Sequence, residues 1–257
     1  MKNIIQNIMF NDAHLHVGQF YDIYTTPAEL LRYMDDVKIE RAAVSSTTIC
    51  EENYNKVLRE MTALTESGRD RIVPVLWVTA AMLESEELNR FLDSRIGWKA
   101  IKIHRLTGWT SQFDAQIAPC LEVAKELDIP IIFHTGEDSD CNAGNFDAIV
   151  RQHPDLRFIL AHSKPAGEVR EMMLNYPHLL CDTSFQTAEN IVRLVRSGLE
   201  ERILWGSDYP IPKYYYPGTD MTAYYAREWR KLRERMTDSC FNKISFNNFL
   251  TIWPQNA

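Results

Sequence analysis

Along most of the chain, short runs of apolar and β-branched residues alternate with longer stretches whose apolar positions recur every three or four residues. The runs IIQNIMFNDAHLH (4–16), RAAVSS (41–46), RIVPVLWV (71–78), WKAIKIH (98–104), IPIIFH (129–134), LRFILAH (156–162), HLLCDTS (178–184) and RILWGSD (202–208) read as eight strands. Between them lie helical patterns: PAELLRYMDDV (27–37), NYNKVLREMTALTESG (53–68), SEELNRFLDSR (85–95), CLEVAKEL (120–127), GNFDAIVRQH (144–153), GEVREMMLNY (167–176) and AENIVRLVRSG (188–198). Strands that are almost wholly apolar, alternating with amphipathic helices, predict a parallel sheet covered by helices. Eight of them in a chain of 257 residues predict an α/β fold, a closed (β/α)8 TIM barrel forming one domain over residues 1–257. The first strand ends in HLHVG, where a dinucleotide-binding sheet would need GxGxxG.

Most of these strands begin apolar and finish on a residue that binds or titrates: His14 and His16, His104, His134, His162, Asp182, Asp208. Five of the seven histidines fall at strand ends, which in such a barrel line the mouth where active sites are built. His14 and His16 are two apart, so on a strand both project to one face. Alone, the pair reads better as two hydrogen-bonded loop histidines. Together with His134 and Asp208 it supplies three nitrogens and one oxygen around a common centre, a donor set that suits Zn²⁺. His162 is expected as a further ligand or as an acid–base group beside the ion.

Lys102 and His104 share a strand face. If that face is inward, Lys102 needs an anion nearby or a carbamate able to bridge two ions; if outward, it is a surface lysine. Arg105 and Trp109 follow at the rim, placed to hold a substrate carboxylate and cover its apolar part, or simply to pack there. Asp182 in LLCDTS reads first as a helix cap. His153 and His178 lie beside prolines at helix ends and read as surface residues.

The net charge of −7 argues against nucleic-acid binding, which needs clustered Lys and Arg. Five cysteines without a CxxC pair suit a reducing, cytoplasmic setting, and no run approaches a membrane span. A small-molecule substrate is expected, with neither nucleic acid nor membrane as a partner and with room for a homodimer.

These residues resemble the amidohydrolase superfamily, in particular its amidohydrolase-related, type 2 branch. DAHLH resembles its DxHxH motif, KAIKIH its GIKxH pattern, IPIIFHTG its PxxxHTG motif and LRFILAHS its following histidine motif. HLLCDTS and ILWGSDYPI resemble the last two strand signatures, and ISFNNFLTIW the closing NAxRLF helix, so the match runs from about residue 8 to 252. The resemblance implies a (β/α)8 barrel with one divalent ion, usually Zn²⁺, held by His14, His16, His134 and Asp208, and a role for His162 beside it. It spans hydrolases, non-oxidative decarboxylases, lactonases and hydratases. Arg105 stands where Pro is frequent, and SKPAG follows His162 in place of Ser-Gly-Gly, so the mouth differs from the pattern.

The leading expectation is a hydrolase in which the ion activates a water towards a carbonyl, with Asp208 and His162 as the catalytic residues. His104, Arg105 and Trp109 would bind a substrate that carries a carboxylate. The alternative is a metal-dependent decarboxylase of an unsaturated or aromatic acid, and the absence of long insertions leans towards hydrolysis. A barrel with a closed, purely structural metal site is the non-enzymatic reading. A mononuclear site with Lys102 unmodified is expected, the carbamate bridge being its rival.

Overall fold

The computed structural model describes residues 9–136 and 138–255, so residues 4–8 of the first predicted strand lie outside the described residues. Nine strands form one sheet: β1 (Phe10–Phe20), β2 (Ile23–Thr25), β3 (Ile39–Ser46), β4 (Ile72–Val78), β5 (Ala100–Ile103), β6 (Ile131–His134), β7 (Phe158–Ala161), β8 (Leu179–Asp182) and β9 (Ile203–Leu204). From β1 through β3 to β9 each neighbour is parallel, in chain order. The chain after β9 runs back along β1 and closes the ring. Ala13 N–H donates to Trp205 O, His16 N–H to Tyr209 O and Asp208 N–H to His14 O, each at 2.8 Å. The result is the expected (β/α)8 barrel. β2 is an addition, an antiparallel hairpin partner of Gly18–Phe20 at the mouth.

Period-two alternation decides which side chains enter the barrel. Ala43, Val75, Ala100, Ile132 and Leu180 belong to an inner apolar cluster, whose far end is plugged by Phe249, Ile252 and Trp253 from the chain's tail. Outward neighbours such as Ile101, Phe133, Phe158 and Leu179 pack under the helices in the larger outer cluster. Two residues beyond each inner position stand Ser45, Trp77, Lys102, His134 and Asp182, all buried. The chemistry forms one layer directly above the apolar plug.

The helices follow the sequence pattern where the caps are strong. Pro27–Val37 starts at Thr26, whose hydroxyl accepts from Glu29 N while the Glu29 side chain returns to the Thr26 backbone. The expected 85–95 helix is present but shorter, Glu87–Leu92, and a separate turn of helix, Ala80–Leu83, precedes it. Helix Met221–Arg233 was outside the pattern read from the sequence. It buries Met221, Tyr225, Trp229 and Leu232 along one stripe, and Trp229 stacks on Phe10 at 3.7 Å. The closing segment forms a π turn, Lys243–Asn247, followed by helix Asn248–Ile252. Among the described residues no helix is long and apolar enough to cross a membrane.

Candidate metal centre

His14, His16 and Asp208 come together at the mouth. His14 Nε2 and His16 Nε2 are 3.2 Å apart, and Asp208 Oδ1 lies 3.1 Å from the first and 2.9 Å from the second. Asp208 leaves the end of the barrel wall with a left-handed backbone, φ 57°, and His162 does the same at φ 67°. Such conformations cost about 1–3 kcal/mol each and persist where surrounding structure enforces them. Gly206 permits the close approach of this segment. A Cβ there would stand 3.1 Å from Asp182 Cγ and 3.2 Å from His14 Cβ, so a larger residue would push both side chains by a few tenths of an ångström.

The partners of the other ring nitrogens favour one pair of tautomers. His14 Nδ1 faces Asp182 Oδ2 at 2.9 Å, and His16 Nδ1 faces Ser45 Oγ at 3.0 Å and the Ser45 carbonyl at 3.3 Å. With His14 Nδ1 donating to the carboxylate and His16 Nδ1 to Ser45, both Nε2 atoms present lone pairs. Burial, followed by the charge of Lys102, lowers the pKa of His14 and takes that of His16 well below its usual value. Burial lifts Asp208 to about 6.

Asp182, read from the sequence as a helix cap, is an organising residue of this layer; Thr187 caps the helix that follows. Burial alone would raise its pKa, but His14, His162 and the Ser184 hydroxyl together outweigh that and hold the carboxylate below its usual range. Its Oδ1 accepts from His162 N–H at 3.0 Å and from Ser184 Oγ at 2.5 Å. Having given its hydrogen to Asp182, Ser184 Oγ accepts from His162 Nδ1 at 2.8 Å. His162 Nε2 therefore faces His134 Nδ1, 3.1 Å away, as an acceptor. This chain turns His134 so that its Nε2 lone pair is the remaining one. His134 is not within the converging trio as the side chains stand; its ring stacks on His104 at 3.6 Å. Asp12 was also given no role by the sequence. Its Oδ1 accepts from His14 N–H at 2.9 Å and Ser207 N–H at 3.1 Å, fastening the first and last barrel segments together.

Lys102 points inward, with Nζ 2.7 Å from His14 Nε2 and 3.3 Å from His16 Nε2. His104 is half-buried against Trp77 and His134, and burial, then Lys102, lowers its pKa to about 3. Above this layer opens a cavity of about 640 Å³, lined by His16, Lys102, His104, His134, His162 and Asp208 below and by Phe20, Tyr21 and Tyr215 at the rim. Arg105 and Trp109 are not part of that lining. The Arg105 guanidinium lies 4.8 Å over the Phe113 ring, and Trp109 meets the same ring edge-on at 5.4 Å.

The trio fits a divalent ion. Zn²⁺ bonded at about 2.0–2.1 Å in a tetrahedron sets its ligands about 3.3–3.4 Å apart. The observed separations of 2.9, 3.1 and 3.2 Å need only a small opening. Three buried acceptors aimed at one point are costly unless a cation satisfies them. Asp182 and Ser45 supply the outer contacts that hold ligating imidazoles in register.

This barrel and donor layer define a protein of the amidohydrolase type. The chain belongs to the amidohydrolase family (Amidohydro_2), whose model matches residues 11–232. Similar solved structures include a TIM-barrel protein from Bordetella bronchiseptica, at 16% identity and TM-score 0.71, covering 96% of this chain and 99% of that one. A zinc-bound amidohydrolase from Burkholderia multivorans aligns at 13% identity and TM-score 0.69, covering 95% and 99%. A 2,6-dihydroxybenzoate decarboxylase in complex with 2,6-dihydroxybenzoate aligns at 14% identity and TM-score 0.65, covering 95% and 98%. No curated protein matches the chain.

Proposed function

We propose that this chain is a metal-dependent hydrolase that directs a water at the carbonyl of a small substrate. The observation that carries the reading is the convergence of His14 Nε2, His16 Nε2 and Asp208 Oδ1, within 3.2 Å of one another, beneath a cavity of substrate size. A divalent ion there, Zn²⁺ in this reading and with His134 as the fourth ligand, supplies a Lewis acid and a water whose pKa falls to about 7.

The chain's own residues do the rest. Asp208, lifted towards neutrality by burial, takes up a proton from the attacking water. His162, whose Nε2 is an acceptor in the resting site, takes up a proton there during the reaction and passes it to the leaving group, while Ser184 and Asp182 hold its other nitrogen. Trp77 and His104, stacked with parallel rings, give the cavity an aromatic side against which a planar substrate would pack. Phe20 and Tyr215 at the rim limit access of bulk water.

The test is a panel of lactones, esters, amides and unsaturated carboxylic acids offered to Zn²⁺-loaded protein. Proton release from carbonyl substrates, abolished in Asp208→Asn, is the expected result. Release of CO₂ instead would assign non-oxidative decarboxylation, with His162 or Asp208 protonating carbon. Full metal occupancy with no turnover on any class would leave a structural site.

A further inference from the structure

Lys102 enters the barrel two residues beyond Ala100 on β5 and is 3% exposed. Its Nζ lies 2.7 Å from His14 Nε2, 3.3 Å from His16 Nε2 and 4.6 Å over the Trp77 ring. An ammonium only donates, so both Nε2 atoms accept from it, with His14 Nδ1 turned to Asp182 and His16 Nδ1 to the Ser45 hydroxyl and carbonyl on the far side. The ammonium N–H groups therefore donate into the two lone pairs that a divalent ion would use. One lone pair serves one cation.

We propose that Lys102 is an internal competitor for the metal: its ammonium and the ion occupy the same two imidazole lone pairs in turn. The inference rests on the metal-binding reading above and adds an order of events to it. The ion seats only in molecules whose Nζ has withdrawn from His14 and His16, so its measured affinity is reduced by the fraction of molecules still holding the ammonium there. Withdrawal has room, because Lys102 lines the 640 Å³ cavity. The arrangement also explains how a buried lysine is tolerated. It satisfies acceptors that would otherwise face one another, and its charge offsets those of Asp182 and Asp208. A site built this way discriminates among ions, since only those with strong imidazole affinity displace the ammonium.

The experiment measures Zn²⁺ affinity by competition with a chromogenic chelator, in CO₂-free buffer and again with added bicarbonate. Wild type is compared with Lys102→Met, which keeps the length and removes the charge, and with Lys102→Leu as a second neutral variant should the first fold poorly. The neutral variants should bind Zn²⁺ at least about tenfold more tightly than wild type, with no effect of bicarbonate. Equal affinity would overturn the proposal, because the ammonium would then yield at no cost. Weaker binding by the neutral variants, or bicarbonate-dependent tightening of wild type, would also overturn it by making Lys102 a ligand, as amine or carbamate. Absence of Zn²⁺ binding in every protein, wild type included, would instead remove the metal-binding reading on which it stands.

Discussion

Asp182 and His14, at the C-terminal end of β8 and in mid β1, are joined by a 2.9 Å hydrogen bond in which imidazole Nδ1 donates to the carboxylate. The bond aims the Nε2 lone pair of His14 at His16 and Asp208 and makes Asp182 the hinge of the whole layer. Asp182→Asn puts an amide in its place, which can donate as well as accept, so the protonation of His14 is no longer dictated. Metal affinity should fall by about 10–100-fold, the usual effect of losing such an outer partner. Chelator competition checks this, and an unchanged affinity would show that His14 keeps its orientation without Asp182.

Removal of a converging ligand should act more strongly than removal of an orienting one. His14→Ala and Asp208→Ala each delete a donor from a small set, so protein purified without chelator should carry clearly substoichiometric metal where wild type is near one ion per chain. Elemental analysis decides the point. Full occupancy in both variants would place the ion, if any, elsewhere.

His162 stands between Ser184 and His134, its Nε2 3.1 Å from His134 Nδ1 and its ring 4.9 Å from that of His14. His162→Asn should leave metal content nearly intact and lower turnover by about 10²–10⁴, the contribution of a positioned acid or base. If metal is lost with activity, His162 works through His134 as an anchor for a ligand. Single-turnover rates and metal content measured on the same preparation separate the two.

The mouth also contains a site of pure backbone constraint. Gly18 has φ +94°, and a Cβ there would meet Thr48 Oγ1, Glu60 Oε2 at 2.7 Å and Ser46 Oγ at 2.8 Å, in a buried network where both hydroxyls donate to Glu60. Gly18→Ala should cost about 2 kcal/mol or more of stability, from left-handed strain together with the displaced carboxylate network. Urea unfolding monitored by fluorescence of the six tryptophans reads this directly. A midpoint equal to wild type would mean that the β1–β2 hairpin adjusts freely.

Arg105 offers a contrast between rim position and contact. With its guanidinium over Phe113, Arg105→Ala should lower stability slightly and leave KM for an active substrate within about twofold. A tenfold rise in KM for carboxylate-bearing substrates alone would put the side chain on the substrate, as the sequence suggested.

What the sequence determined by itself is what periodicity and strand ends encode. Apolar runs alternating with helical stripes specify a parallel sheet covered by helices, because a parallel strand needs both faces buried, and eight such runs in 257 residues favour its closure into a barrel. The placing of Lys102, His134, His162 and Asp208 at or just past strand ends, with His14 and His16 within the first strand, puts them at one mouth. Helix Met221–Arg233 escaped because its stripe of Met221, Tyr225, Trp229 and Leu232 is set among charged and aromatic residues that blur the period. Only the tertiary structure decided who touches whom. Asp182 reads locally like any Asp before Thr-Ser, and nothing in LLCDTS reveals a histidine 168 positions away. Arg105 reads locally as a rim cation, and its turn onto Phe113 depends on how the following loop packs. The hydrogen-bond partners of four imidazoles and the approach of Lys102 to two of them are properties of a ring of strands closed on itself. Closure brings β1, β5, β8 and the segment after β9 within hydrogen-bond distance, and sequence separation carries no information about such distances.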